Sequence, residues 1–167
     1  MLNEMKNVFK NVTDNLDLNL DLSYWEKVSD RNSKDAVLIK ECGELVKPNA
    51  IDYKQVSGKD TGCLDGVAIV SNGIKSLNVY MFCKHIKDEE HQDLIMNEVK
   101  TEINAISRNK DKNCVFMFLL EGEGFVCNND LKNDIEINGK SVLLPINGNE
   151  SETKEMVKQV FLNYFSN

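Results

Sequence analysis

Two stretches of β-branched and aromatic residues near the middle of the chain predict a β-hairpin. They span residues 67–70 and 77–82 and flank Asn72-Gly73, a dipeptide that tolerates the two positive φ values of a type I′ turn. Both predicted strands carry apolar residues on each face. We therefore expect the hairpin to be covered on two sides rather than solvated on one.

The predicted turn fixes which side chains share a face. With the Asn-Gly pair at its centre, Asp65 lies opposite Tyr80. Because side chains alternate along a strand, the two expected faces hold Asp65, Tyr80, Phe82 and Lys84 on one side and Leu64, Met81 and Cys83 on the other. A three-residue loop would instead move Lys84 to the face opposite Asp65.

Three segments repeat apolar residues at spacings of three and four, which is the pattern of an amphipathic helix. The first runs from Leu2 to Leu16 and the second from Asp88 to Arg108. The third follows Ser151, a residue suited to cap a helix. Acidic residues at the start of the second helix lie at the positive end of its dipole, which supports that assignment.

The remaining segments predict short strands and loops. Leucines alternate with polar residues over 16–22 and indicate a strand, after which Ser23 has capping-box spacing for a turn of helix. The other expected elements are a strand or the start of a helix at 36–39, a loop at 48–62, a buried strand at 114–120, and an edge hairpin formed by 135–137 and 142–146.

This order of elements predicts an α/β (α+β) fold. A strand that follows a helical crossover usually returns parallel, so a hairpin, a long helix and a buried strand form a mixed sheet. We expect a central sheet of about four to six strands flanked by helices. The 167 residues fit one domain spanning 1–167, in which residues 1–35 are a candidate N-terminal helical extension.

Composition narrows the class of protein. The net charge of −7 opposes attraction to nucleic acid or to an anionic membrane surface. Apolar runs are too short to span a membrane, and residues 1–22 lack the basic and apolar segments of a signal peptide. The five cysteines have no paired spacing and indicate reduced thiols, so we expect a cytoplasmic or nuclear protein that does not contact a membrane.

The segments LDGVAIV and LNVYMFCKHI, separated by the turn and followed by an acidic helix, resemble the core of the restriction-endonuclease-like superfamily, whose motif is PD-(D/E)XK. They resemble in particular the divergent nuclease-like domains of Crinkler and retrotransposon-hot-spot effector proteins. The similarity covers about residues 36–120. It implies a restriction-endonuclease-like core for this part of the chain.

In active members of that superfamily, clustered carboxylates hold Mg²⁺, which activates water at a phosphodiester, and a lysine helps to orient the nucleophile. The resemblance implies Asp65 as the acid of the first strand and a metal ligand, and Lys84 as the lysine. The helical glutamate that the resemblance implies is Glu41 or Glu44, with Glu44 as the catalytic candidate and Glu41 as the metal ligand, and Glu98 on the helix after the hairpin is a further candidate. The second acid should stand two residues before the lysine, where this chain has Phe82.

The same residues also fit simpler structural roles. Asp65 beside Gly66 is typical of a residue that hydrogen-bonds its own backbone where a strand begins. Lys84 is long enough to extend from a sheet edge to solvent. Cys83 and His85 share a face, but their spacing is long for a catalytic pair, and a buried thiol is the simpler interpretation. The cysteines lie on separate elements without the ligand spacing of a zinc site.

Three interpretations of function follow. The first is a degenerate nuclease-like domain that acts as a noncatalytic interaction module, with a protein partner and no cofactor. The second is an active Mg²⁺-dependent nuclease that cleaves nucleic-acid phosphodiesters, and the third is an unrelated small acidic α/β protein-binding domain. Phe82 and the net charge of −7 favour the first. Converging carboxylates around Asp65 would favour the enzyme, whereas an apolar plug around Phe82 would favour the module.

Overall fold

The computed structural model describes residues 2–29, 35–47, 60–86, 88–121, 140–144 and 150–166. These residues form three α-helices and eight β-strands. The helices are α1 (Leu2–Asn15), α2 (Glu89–Ser107) and α3 (Glu150–Phe165). The strands are β1 (Asn19–Asp21), β2 (Leu38–Lys40), β3 (Leu45–Val46), β4 (Asp60–Cys63), β5 (Gly66–Ser71), β6 (Ser76–His85), β7 (Cys114–Glu121) and β8 (Ser141–Leu144).

Five of these strands form a mixed sheet in the order β1-β5-β6-β7-β8. The central hairpin β5-β6 is antiparallel, whereas β7 runs parallel to β6 and β8 runs parallel to β7. Helix α2 is the crossover between β6 and β7, and the chain returns in the parallel direction as the element order predicts. The predicted mixed α/β sheet is confirmed, with β8 at one edge and a second, three-stranded sheet in the order β3-β2-β4.

The hairpin turn lies one residue further along the chain than the Asn-Gly dipeptide predicts. The register of β5 against β6 leaves residues 72–75 between the strands, and the Asn72 backbone N–H donates to the Lys75 carbonyl at 3.1 Å, so the turn is centred on Gly73-Ile74. The Asn72 carboxamide oxygen accepts hydrogen bonds from the backbone N–H groups of Ile74 and Lys75 at 2.9 and 2.7 Å. These bonds close the connection, and within it only Gly73 adopts a positive φ, of 90°.

Moving the turn centre by one residue shifts the predicted register by two residues. Tyr80 pairs with Val67 instead of Asp65, so the predicted pairing of Asp65 with Tyr80 is wrong. Because side chains alternate with a period of two, this shift leaves the residues of β6 on their predicted faces. Phe82 accordingly belongs to one buried cluster and Met81 to the other.

Both faces of the five-stranded sheet are covered. One face packs on α2 and the three-stranded sheet, in a cluster that includes Leu64, Phe82 and Val99. The other packs on α1 and α3, in a cluster that includes Phe9 and Phe161. The predicted face of Leu64 is wrong, because Leu64 precedes β5 and the alternation of the strand does not extend to it.

Several local predictions differ from the structure. Of the two alternatives for the run 36–39, the strand is confirmed and the helix is wrong, because the run leads into β2. The predicted loop at 48–62 ends in strand β4, whereas 48–59 lie outside the described residues, as does the predicted strand at 135–137. Ser23 is followed by hydrogen-bonded turns rather than by a turn of α-helix.

The three predicted helices are confirmed. The predicted cap of the third is wrong, because α3 begins at Glu150 and Ser151 lies within its first turn. Helix α2 shows how the sequence sets the start of a helix. Asp88 caps this helix, since its carboxylate accepts a hydrogen bond from the backbone N–H of His91 at 3.1 Å. The helix ends at Ser107, and the backbone N–H of its C-cap, Arg108, donates to carbonyls of the last turn. Within the described ranges, no helix combines the length and the apolar character that a membrane crossing requires.

Candidate functional site

Asp65 lies directly before β5, at the end of the hairpin remote from the connection. Its backbone N–H donates to the carbonyl of Met81 at 2.8 Å, and its carboxylate Oδ2 accepts from the backbone N–H of Cys83 at 2.7 Å. The Asp65 carboxylate therefore accepts a hydrogen bond from the β6 backbone at a point that lies before the first residue of β5. Burial raises the pKa of Asp65, although the Cys83 N–H and the Lys84 ammonium oppose the shift.

Lys84, near the end of β6, points into the protein rather than to solvent, and only 15% of its side chain is exposed. Its ammonium lies 2.8 Å from Glu102 Oε1 and 3.6 Å from Glu98 Oε2, both on α2. Burial alone would lower the pKa of Lys84. The carboxylates of Glu102, Glu98 and Asp65 outweigh that effect and hold the pKa above its ordinary value.

Glu102 is a site residue that sequence reasoning missed. Its side chain is buried, and its Oε2 has no hydrogen-bond partner among the described residues. Burial raises the pKa of Glu102 to about 7, against the opposing effect of Lys84. The carboxylate fits because β4 places Gly62 against it, where a Cβ atom would collide with Oε1.

Glu102 could have been identified from the sequence, because it lies within the apolar repeat of α2. Ile95, Val99 and Ile106 pack in the cluster beneath this helix. Glu102 stands three residues after Val99 and four before Ile106, so it belongs to the same stripe. An acid in such a stripe faces the core, where it needs a cationic partner. Lys84 is that partner.

Phe82 occupies the position where the resemblance requires a second acid. Its ring is fully buried and stacks on Phe118 and Phe116, with centroid separations of 5.1 and 6.4 Å. This is the apolar plug that favours a noncatalytic module. The carboxylates of Asp65, Glu98 and Glu102 also act on Lys84. The site therefore combines an apolar plug at Phe82 with carboxylates around the lysine.

Glu41 and Glu44 are not brought to this cluster. Both are exposed in the turn between β2 and β3, and neither is among the carboxylates that raise the pKa of Lys84. The Glu41 carbonyl accepts a hydrogen bond from Arg108 at 2.7 Å, and Glu44 lines an open cavity of about 550 Å³ near the end of α2. A helix beginning at 36–39, one of the two alternatives for this run, would have carried Glu41 and Glu44, but a strand and a tight turn through Gly43 are present instead.

Cys83 and His85 do not form a catalytic pair. Strand β6 stays extended through His85, whose Nδ1 lies 3.0 Å from Glu121 Oε2. Burial raises the pKa of the Cys83 thiol to about 12, so the reactive thiolate is disfavoured near neutrality. In the part of the chain that the structure describes, no group of three or more His, Cys, Asp or Glu side chains is placed to hold a metal ion.

The arrangement does not fit the Mg²⁺ ion that the resemblance implies. Mg²⁺ needs oxygen ligands at about 2.1 Å in near-octahedral geometry. The Lys84 ammonium already lies among the carboxylates that would supply those ligands. Asp65 also commits one of its oxygens to the Cys83 N–H. A divalent ion would have to displace the ammonium from Glu102.

Comparisons with known proteins identify no relative of this chain. No family model, no curated protein and no solved structure matches the chain. The resemblance to the restriction-endonuclease-like superfamily therefore depends on the residues of the hairpin and on the order of the elements around it.

Proposed function

We propose that this chain is a degenerate nuclease-like domain that acts as a noncatalytic interaction module. The order of its elements supports the nuclease-like part. An antiparallel hairpin is followed by a helical crossover and a parallel strand, with Asp65 and Lys84 at the same end of the sheet. This is the arrangement that the PD-(D/E)XK resemblance implies.

The observation that carries the noncatalytic part is the burial of Phe82. An active site of this type needs a second carboxylate at that position, where a fully buried ring instead packs against Phe118. Lys84 supports the same conclusion, because a lysine that orients a nucleophile must reach the substrate. Here its ammonium is held 2.8 Å from a buried carboxylate oxygen of Glu102.

A basic protein segment fits the surface better than a nucleic acid. The chain carries a net charge of −7, and α2 and its cap expose four carboxylates, those of Asp88, Glu90, Asp93 and Glu98. These carboxylates repel a phosphate backbone and attract a positively charged partner. Among them Leu94 is 64% exposed and offers an apolar contact. The same argument applies if the domain is an acidic protein-binding domain unrelated to nucleases.

A Mg²⁺-dependent nuclease is the second candidate, and one observation favours it. Glu102 brings a buried carboxylate to Lys84 from α2, although the strand position of the second acid is occupied by Phe82. Its Oε2 has no hydrogen-bond partner among the described residues and is available to another cation.

A cleavage assay separates the two candidates. Wild type is incubated with single-stranded and double-stranded DNA and RNA in the presence of Mg²⁺ or Mn²⁺, beside Asp65→Ala, Lys84→Ala and Glu102→Gln. Glu90→Gln, an exposed acid on α2, is the matched control. The proposal predicts no cleavage by wild type above that of the variants. Metal-dependent cleavage that the three site variants lose and Glu90→Gln retains would overturn it.

A further inference from the structure

Two neighbouring cavities open between the three-stranded sheet and the central hairpin. The first, of about 550 Å³, is bounded by the β2–β3 turn, by Tyr80 of β6 and by the connection that follows α2. The second, of about 310 Å³, shares Leu45 and Tyr80 with the first. Binding sites for small molecules have volumes of about 300–1,000 Å³. Both cavities are therefore large enough to hold part of a small organic ligand.

The two cavities differ in chemical character. The first is lined by four charged residues, Glu44, Arg108, Lys110 and Asp111. The second is lined mainly by apolar side chains, among them Val28, Val37 and Val67. Tyr80 lines both, and its ring packs on Phe116 with a centroid separation of 5.2 Å. Burial raises the pKa of Tyr80 to about 12, so its neutral hydroxyl adds no negative charge to either cavity.

The two cations of the first cavity have no carboxylate partner. In the part of the chain that the structure describes, no ion pair engages Arg108 or Lys110. Arg108 donates one hydrogen bond to the Glu41 carbonyl at 2.7 Å, and a guanidinium has five N–H groups, so further donors remain for a ligand. Asp111, by contrast, already accepts a hydrogen bond from the backbone N–H of Asn113 at 2.8 Å.

The wall that carries these cations is held in place by Asn109. Its amide N–H donates to the Gly43 carbonyl at 2.7 Å, and its Oδ1 accepts from the Asp111 backbone N–H at 2.9 Å and from the Lys140 ammonium at 3.0 Å. Lys140 also donates to the Asp111 carbonyl at 2.6 Å and brings a third cation to this wall. Because these bonds fix the connection before any ligand arrives, little ordering would oppose binding.

We propose that the two cavities form one binding site for a small amphiphilic anion, whose carboxylate or phosphate head binds Arg108 and Lys110 and whose apolar body extends past Tyr80 into the second cavity. Arginine and lysine bind both kinds of head through charge-assisted hydrogen bonds. A cationic head would be repelled by the same side chains. The site shares no lining residue with the cluster around Lys84, and the inference does not depend on the function proposed above.

The test titrates wild type with decanoate and with decyl phosphate, below the concentrations at which they form micelles. Calorimetry measures the affinity, and amide NMR spectra locate the site. We expect one ligand per chain, with shifted signals for Leu45, Tyr80 and Arg108 and unchanged signals around Leu94. The probe that binds more tightly identifies the head as carboxylate or phosphate. Decyltrimethylammonium, which has the same chain and a cationic head, should bind roughly 10-fold more weakly or not at all.

Two variants remove the cations at similar side-chain length, Arg108→Met and Lys110→Met. Each should weaken binding of the tighter probe roughly 10-fold, because each deletes a charge-assisted hydrogen bond. Lys100→Met, on the exposed side of α2, is the matched control and should bind as wild type does. Lys110 is exposed, so its variant keeps the test decisive if Arg108→Met does not fold.

Three results overturn the inference. The first is folded wild type that binds neither anionic probe below its micelle-forming concentration. The second is equal affinity for the anionic and cationic probes, since the cations would then play no part. The third is full affinity in every folded variant that lacks Arg108 or Lys110, or NMR shifts confined to another surface.

Discussion

Glu102 on the crossover helix and Lys84 on the central strand form an ion pair of 2.8 Å that solvent barely reaches. The attraction within such a pair is largely offset by the free energy needed to remove both groups from water, so its net contribution to stability is small. Removal of one partner has a larger effect, because the other charge is then buried without compensation. The pair therefore dominates how the site responds to substitution and to pH.

Lys84→Met should lower the free energy of unfolding by roughly 3 kcal/mol at about pH 8, because it leaves the Glu102 carboxylate without its cation. The loss should be smaller at about pH 5, since Glu102, with a pKa of about 7, is then neutral in the folded protein. Urea unfolding at both pH values measures the two losses. The exposed control Lys100→Met should stay within about 0.5 kcal/mol of wild type. Equal losses at the two pH values would contradict this explanation.

The free energy of unfolding should depend on pH through the ionisation of Glu102. Burial raises the pKa of Glu102 from 4.5 to about 7, so its contribution is complete below pH 4.5 and is lost as the pH rises through about 7. Over this interval wild type should lose roughly 3 kcal/mol that Glu102→Gln, which cannot ionise, retains. The raised pKa of Asp65 acts in the same direction in both proteins and does not affect their difference.

The measurement is the free energy of unfolding from urea titrations between about pH 4 and pH 8. A curve that falls for wild type and stays flatter for Glu102→Gln is the expected result. Parallel curves would mean that Glu102 titrates at its ordinary pKa, and the carboxylate would then have to be solvated in the folded protein.

The hairpin and its crossover helix were predictable because their signals are local. Alternation of side chains marks the strands, and the apolar repeat marks α2. The position of the turn was not predictable, because the Asn72 carboxamide accepts hydrogen bonds from the N–H groups of Ile74 and Lys75, and the turn is centred one residue later than the Asn-Gly pair. The error amounted to two residues, an even number, so the apolar residues of β6 keep their predicted faces.

The site residues were predictable only where they belong to the same local element, the hairpin. Asp65 and Lys84 belong to the hairpin and are related by its register, but Glu102 is separated from Lys84 by 18 residues and lies on another element. Its contact with Lys84 depends on how α2 packs on the sheet. Glu41 and Glu44 were misplaced for a related reason, since a four-residue apolar run at 36–39 fits a strand as well as a helix.

Phe82→Ala should strongly destabilise the fold. The ring is fully buried and stacks on Phe118 at 5.1 Å, so its removal leaves a cavity and deletes an aromatic contact. We expect a loss of roughly 4 kcal/mol in chemical denaturation. Ile74→Ala, at a connection residue that is 94% exposed, should change stability by less than about 0.5 kcal/mol. A loss below about 1 kcal/mol for Phe82→Ala would show that the ring contributes little to the packed core and would weaken the noncatalytic proposal.

Gly62→Ala should destabilise the protein through Glu102 rather than through β4 itself. A Cβ atom at this position would collide with Glu102 Oε1 and lie 3.1 Å from its Cδ. Lys84 holds the carboxylate in place, so we expect a loss of roughly 1–3 kcal/mol. In a Glu102→Ala background the colliding group is absent, and the same substitution should cost less than about 0.5 kcal/mol. A double-mutant cycle by urea unfolding measures the difference. Equal losses in both backgrounds would locate the strain in β4, and Gly62 would no longer be the residue that admits the Glu102 carboxylate.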